Sequence, residues 1–363
     1  MGAGSTNAMA IAGLIGGVVL GFAARWGRFC TLGAIEDWVL GHDSTRLRGW
    51  LLALSVAVIG THLAALVGLV PLAESAYLYS PPALYSTFFG SVLFGLGMAL
   101  LGTCGFGLLA RLGGGDLKSL FGFFAVAVCA YSSMRGLLAY PRRAIFEGRT
   151  LHEVPQGFAY WLEREVGGQH IYWGICIGLL LLVAALASRR LWLRPRIVVT
   201  GVVVGLTVAG GWISTSYLSN DFDPHPLESF SFVAPLGETL LYVMATTGSG
   251  LRFGIGAVVG VVIGAFIGSR NLKQFRWEAC DDAREIGRQM LGGLLMGFGG
   301  VVAFGCTVGQ GLSAASILAF SAPVALLGIY IGAWLGLQWM VNGDLLSDLN
   351  ERCRSIFQRS QKP

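Results

Sequence analysis

The sequence predicts an all-α integral membrane protein with about nine transmembrane helices, short re-entrant helices and an inverted pseudo-two-fold repeat. Three observations carry that reading. Of 363 residues, 54% are hydrophobic and only 12% charged, with a mean hydropathy of +0.67, where soluble proteins carry about 25% charged residues. The apolar runs have helical length, unlike the ten-residue alternations of a membrane β-barrel. A glycine-and-cysteine unit recurs along the chain. Glycine, at 54 residues, follows no Gly-X-Y period, which excludes collagen. The net charge of +5 comes largely from basic loops and does not point to nucleic acid.

Ten apolar stretches are visible, at 9–24, 50–70, 86–101, 119–134, 170–187, 197–212, 230–247, 253–268, 289–304 and 319–341. The first lacks a basic leader and runs directly into Arg25-Trp-Gly-Arg28, so it reads as a retained helix rather than a signal peptide.

The repeat organises the rest. Gly16-Gly-Val-Val-Leu-Gly21, Gly90-Ser-Val-Leu-Phe-Gly95 and Gly292-Gly-Leu-Leu-Met-Gly297 each precede a cysteine, fourteen residues after the first glycine. These are Cys30, Cys104 and Cys306, and a glycine follows each by three residues, at Gly33, Gly107 and Gly309. A fainter copy beginning Thr200-Gly-Val-Val-Val-Gly205 places Ser214 at the cysteine position and is expected to break there. The expected divisions are a first transmembrane repeat over 1–140, an outer loop and connecting helix over 141–194, a second, inverted repeat over 195–345, and a basic tail over 346–363. Four spans per half plus one connecting helix gives nine, so 230–247, with Pro235 and Glu238, is expected to re-enter rather than cross.

Charge distribution gives orientation. With the N-terminus outside, the segments 25–48, 102–118, 188–196, 269–288 and 343–363 face the cytoplasm and hold 19 of the 25 Lys and Arg residues, as the positive-inside rule requires. The outer segments 71–85 and 213–229 hold none; 135–169 departs from the pattern with five Arg, offset by Glu147, Glu153, Glu163 and Glu165.

Each cysteine unit reads as a glycine-rich helix, a break, and a further short segment. Backbone that leaves the helix at membrane depth must be buried in protein or line a cavity, and interrupted segments at matching positions of two inverted halves mark a transporter's binding site. A helix N-terminus attracts anions, and a neutral thiol offers a weak S–H donor. A string of weak sites lets an anion enter and leave, so a soft sulfur anion fits, with the thiols protonated. Cys30, Cys104 and Cys306 are therefore the substrate-path candidates. Ser214, Gln310, Glu238, Arg28 and His62 are candidates for lining it. Cys129, Cys176, Cys280 and Cys353 read as packing or loop residues. With no CxxC pair and an odd count of seven cysteines, neither a metal site, a cofactor nor a disulfide framework is expected.

The motifs Gly27-Arg-Phe-Cys-Thr-Leu-Gly-Ala-Ile-Glu-Asp37, Gly102-Thr-Cys-Gly-Phe-Gly107 and Phe304-Gly-Cys-Thr-Val-Gly-Gln-Gly311 resemble the three cysteine motifs of the YeeE/YedE family. That resemblance covers nearly the whole chain. It implies a bacterial inner-membrane protein of hourglass shape that takes up thiosulfate for sulfur assimilation, without enzyme activity, by S–H···S hydrogen bonds from Cys30, Cys104 and Cys306. It also implies partnership with a separate small cytoplasmic sulfur-carrier protein. The competing readings are a transporter of another sulfur or selenium anion, a membrane-embedded sulfurtransferase forming a persulfide on Cys30 or Cys104, and a scaffold that only anchors a carrier.

Overall fold

A computed structural model describes residues 2–79, 83–146, 155–219, 226–246, 250–279 and 283–342. Cys280, Cys353 and the tail 346–363 lie outside the described residues. The described chain is helical, with two isolated β-bridges and no strand among its described residues.

The first half runs α1 (Gly2–Trp26), α2 (Thr31–Val39), α3 (Thr45–Leu66), a short α4 (Ala76–Tyr79), α5 (Leu84–Leu101), α6 (Gly105–Gly113) and α7 (Lys118–Arg135). Then follow α8 (Ala139–Phe146), α9 (Phe158–Val166), α10 (His170–Leu186) and α11 (Arg189–Trp192). The second half runs α12 (Pro195–Leu218), α13 (Val233–Met244), α14 (Phe253–Asn271), α15 (Ala283–Val302), a π-helical turn (Gly309–Ala314) and α16 (Ser321–Asn342). Pro195 opens α12 at its first turn, where a missing N–H costs nothing.

Each of the ten apolar stretches coincides with a helix. Among the described residues, length and composition qualify six as spans, or eight if each of two bent pairs, α7–α8 and α9–α10, is one span. The expectation of about nine stands one above that figure. The difference is α15, whose start carries Arg284, Glu285 and Arg288. α13 has twelve residues, about 18 Å at helical rise, which is well short of a ~30 Å hydrocarbon core.

Packing follows a regular exchange. α1 lies on α14 as α12 lies on α3; α5 lies on α16 as α15 lies on α7; α13 lies on α7 as α2 lies on α16. α5 meets α15, and α1 meets α12. Swapping α1, α2, α3, α5 and α7 for α12, α13, α14, α15 and α16 leaves this pattern unchanged. Small residues make the closest pairs. Gly13, Gly17 and Gly21 of α1 face Gly256, Gly260 and Gly264 of α14, backbone against backbone. Lipid tails are as apolar as the side chains, so close van der Waals contact supplies the attraction that burial supplies in water.

Candidate functional site

The three cysteine units break by one device. The residue two positions before each cysteine is left-handed: Arg28 with φ 52°, Gly102 with φ 80° and Phe304 with φ 60°. That turn ends α1, α5 and α15. In the first and third breaks the next amide bonds back to the fifth preceding carbonyl, Phe29 N to Ala24 O at 3.2 Å and Gly305 N to Gly300 O at 2.8 Å, which closes the helix end. Glycine takes this conformation freely, whereas for Arg28 and Phe304 it costs roughly 1–2 kcal/mol. Strain of this kind persists where the surroundings enforce it.

Each cysteine then opens the next segment. The carbonyls of Cys30, Cys104 and Cys306 accept from the amides of Ala34, Leu108 and Gln310 at 3.0, 2.8 and 2.8 Å. Cys104 Sγ accepts the Gly107 N–H at 3.4 Å, and Cys306 Sγ accepts the Gly309 N–H at 3.3 Å. Used this way as an acceptor, each sulfur keeps its S–H free to donate. At Gly107 a methyl group would crowd Thr103 Oγ1, so that side chain would have to move.

The thiols converge. Cys104 and Cys306 are buried in one hydrophobic core and Cys30 packs partly exposed against it. Cys104 lies within electrostatic reach of both others. An aromatic pair includes a residue within two positions of each cysteine: Phe29 on Trp50 at 5.3 Å, Phe106 on Phe232 at 5.2 Å, and Phe304 on Tyr77 at 5.3 Å. α2 and α6 present their N-termini at the first two breaks, which adds partial positive charge beside Cys30 and Cys104.

Cavities adjoin both ends of the set. One of about 520 Å³ lies beside Cys30, lined by Thr31, Ile35, Trp50, Leu54, Gly311 and Tyr330. Another of about 280 Å³ lies at the Cys306 break, lined by Tyr77, Glu228, Ser231, Glu238, Phe304 and Gly305. Glu228, in the link between α12 and α13, is raised to about 7 by desolvation first and by Glu238 second, with Arg252 opposing. Near neutral pH it is therefore partly protonated, which reduces the negative charge an anion would meet there.

The other candidates scatter. Gln310 is fully buried next to the third break and braces it, donating to Ala303 O at 2.8 Å and accepting from Ser321 Oγ at 3.2 Å. Arg28 is exposed and serves the first break through its backbone. Glu238 lines the second cavity and pairs with Arg252 at 3.3 Å. His62 is buried against Gly174 of α10, with its Nδ1 2.9 Å from Val58 O. The structure sets it in a helix contact rather than among the thiols.

Ser214 requires a correction. α12 does not break there but continues to Leu218, with Ser214 Oγ donating to Gly211 O within the same helix at 3.0 Å. In the fourth unit α12 ends at Leu218 and α13 begins at Val233, so the fixed fourteen-residue count lands inside the helix. The residue preceding α13, as Cys30 precedes α2, is the buried Phe232. The aromatic pairs and Glu228 escaped the sequence reading. A signal for the pairs was present in the phenylalanine within two residues of each cysteine.

Two curated proteins similar to this chain are both named thiosulfate transporter TsuA. That of Escherichia coli K12 is 27% identical over 351 residues, covering 92% of this chain and 95% of the relative. That of Spirochaeta thermophila is 24% identical over 330 residues, covering 89% and 96%. A family model described as sulphur transport matches residues 26–335, and by that match the chain belongs to the sulphur transport family.

Proposed function

We propose that the chain carries thiosulfate across the bacterial inner membrane along Cys306, Cys104 and Cys30. The observation that supports this most is the placement of three thiols two residues after the left-handed turn that ends each of three helices, gathered at one core with a cavity at each end. The relatives' name, thiosulfate transporter, supports the choice of anion. Thiosulfate presents a soft terminal sulfur that accepts a weak S–H bond. A neutral thiol holds it loosely enough to pass it on, whereas an arginine or a thiolate would bind it too tightly or repel it.

The exchange of helix pairs supports two halves related by a pseudo-two-fold, over 1–140 and 195–345; in the proposed arrangement they are inverted, joined through 141–194, and meet at an hourglass waist. In that arrangement the N-terminus is periplasmic and the tail 346–363 cytoplasmic, within reach of a separate sulfur-carrier protein. Reporter fusions at the C-terminus are expected to be active in the cytoplasm; a periplasmic signal would overturn the orientation.

The thiols act as conduits and are not consumed. A sulfurtransferase would instead have a cysteine thiolate attack the outer sulfur, forming a cysteine persulfide and expelling sulfite. Purified protein in liposomes separates the two. Labelled thiosulfate is expected inside with its S–S bond intact, and no peptide bearing Cys30 or Cys104 heavier by one sulfur. A persulfide forming and decaying at the rate of uptake would show an enzyme, and no uptake by the wild type would end the transport reading.

A further inference from the structure

Among the described residues, the buried hydroxyl of Thr307 beside the Cys104 and Cys306 thiols has no hydrogen-bond partner. Thr307 follows Cys306, and both are completely enclosed. Its Oγ1 lies near the Cys104 thiol but outside hydrogen-bond geometry, and no other group among the described residues takes it up. Other hydroxyls of the same segment are satisfied. Ser313 donates to Phe230 O at 2.7 Å, Ser316 to Ser313 O at 2.7 Å and Ser321 to Gln310 Oε1 at 3.2 Å. Burying a hydroxyl unbonded costs folding free energy, and valine has the same shape without that cost. If position 307 served packing alone, valine would be the better residue.

We propose that Thr307 is a substrate-binding residue whose hydroxyl donates to the oxyanion end of the passing anion while the flanking thiols hold its sulfur end. The proposal rests on the thiosulfate reading above. The site between Cys104 and Cys306 would then recognise both ends of the anion at once. A thiol is a poor donor to hard sulfonate oxygens, and a hydroxyl is a good one. With two kinds of donor, the path discriminates against soft anions that lack oxygens.

Uptake of labelled thiosulfate into liposomes tests this with wild type, Thr307→Val and Thr307→Ser, alongside heat stability with and without thiosulfate. Losing one hydrogen bond to a charged group is expected to raise the half-saturating concentration about ten-fold in Thr307→Val. Thr307→Ser is expected to stay near wild type. Without substrate, Thr307→Val is expected to be at least as heat-stable as wild type. With thiosulfate, its protection is expected to shrink. Wild-type uptake and protection in Thr307→Val would overturn the proposal. So would failure of Thr307→Ser alongside Thr307→Val, or a loss of unliganded stability in Thr307→Val, since each points to a packing role. If wild type binds thiosulfate without transporting it, the function fails while the protection data still decide the role of Thr307.

Discussion

Cys104→Ala and Cys306→Ala are expected to reduce thiosulfate uptake to about a tenth of wild type or less at equal expression, and Cys129→Ala to leave it nearly intact. Each of the first two substitutions removes a donor from the path and also leaves the amide of Gly107 or Gly309 without the sulfur that accepts it. Cys129 differs in setting though not in burial. It lies where α7 meets α15 and donates to Leu294 O at 3.1 Å, a contact that holds two helices together and faces no break. Liposome uptake with purified variants is the measurement, and equal loss in all three would mean that the thiols act through packing alone. Serine in place of Cys104 sharpens the result. It keeps a donor and an acceptor but is harder and smaller, so partial activity locates the requirement in S–H donation to soft sulfur. Cys353→Ala serves as a second control, at a position outside the described residues.

The thiols were legible because the chain writes them in register: a glycine-rich run, fourteen residues, a cysteine, three residues, a glycine. Local rules decide each of those positions. The cysteine carbonyl accepts the amide four residues on, and the following glycine clears space for a neighbouring side chain. What surrounds the thiols was not legible, because it arrives from elsewhere in the chain. Tyr77 reaches Phe304 from α4, Phe232 reaches Phe106 from the start of α13, and Trp50 reaches Phe29 from α3. No spacing rule within one unit announces such partners. The left-handed turns at Arg28 and Phe304 were hidden for another reason. A sequence reading looks for glycine at a helix end, and here the tertiary structure imposes the turn on residues that resist it. Ser214 failed in the opposite way. Its unit matches the others at the start, but α12 runs on past Ser214 to Leu218, and a fixed count cannot register a longer helix.

The largest effect on folding is expected at the α1–α14 contact. A side chain at Gly256 would begin 1.9 Å from Ala10 O, at Gly260 2.2 Å from Leu14 O, and at Gly264 2.0 Å from Val18 O. All three are backbone contacts, so no rotamer change relieves them and the helices must separate. Separation also forfeits the contacts made by Gly13, Gly17 and Gly21 along the other side. Overpacking a tight interior costs about 3 kcal/mol at the upper end of its usual range, and Gly260→Val, at the centre of a continuous stripe, belongs there. The thiols depend on this contact, since α1 ends at the Cys30 break and α14 supports α6, which Cys104 opens. Gly260→Val is therefore expected to lose most of its monodisperse material on size exclusion in detergent. Gly210→Ala supplies the contrast. That glycine sits within α12 on an exposed face with nothing within 4 Å of an added methyl, so alanine is expected to stabilise the helix by about 1 kcal/mol. Wild-type yield and uptake from Gly260→Val would show that α1 and α14 part freely, and that the stripe is a sliding surface rather than a fixed seam.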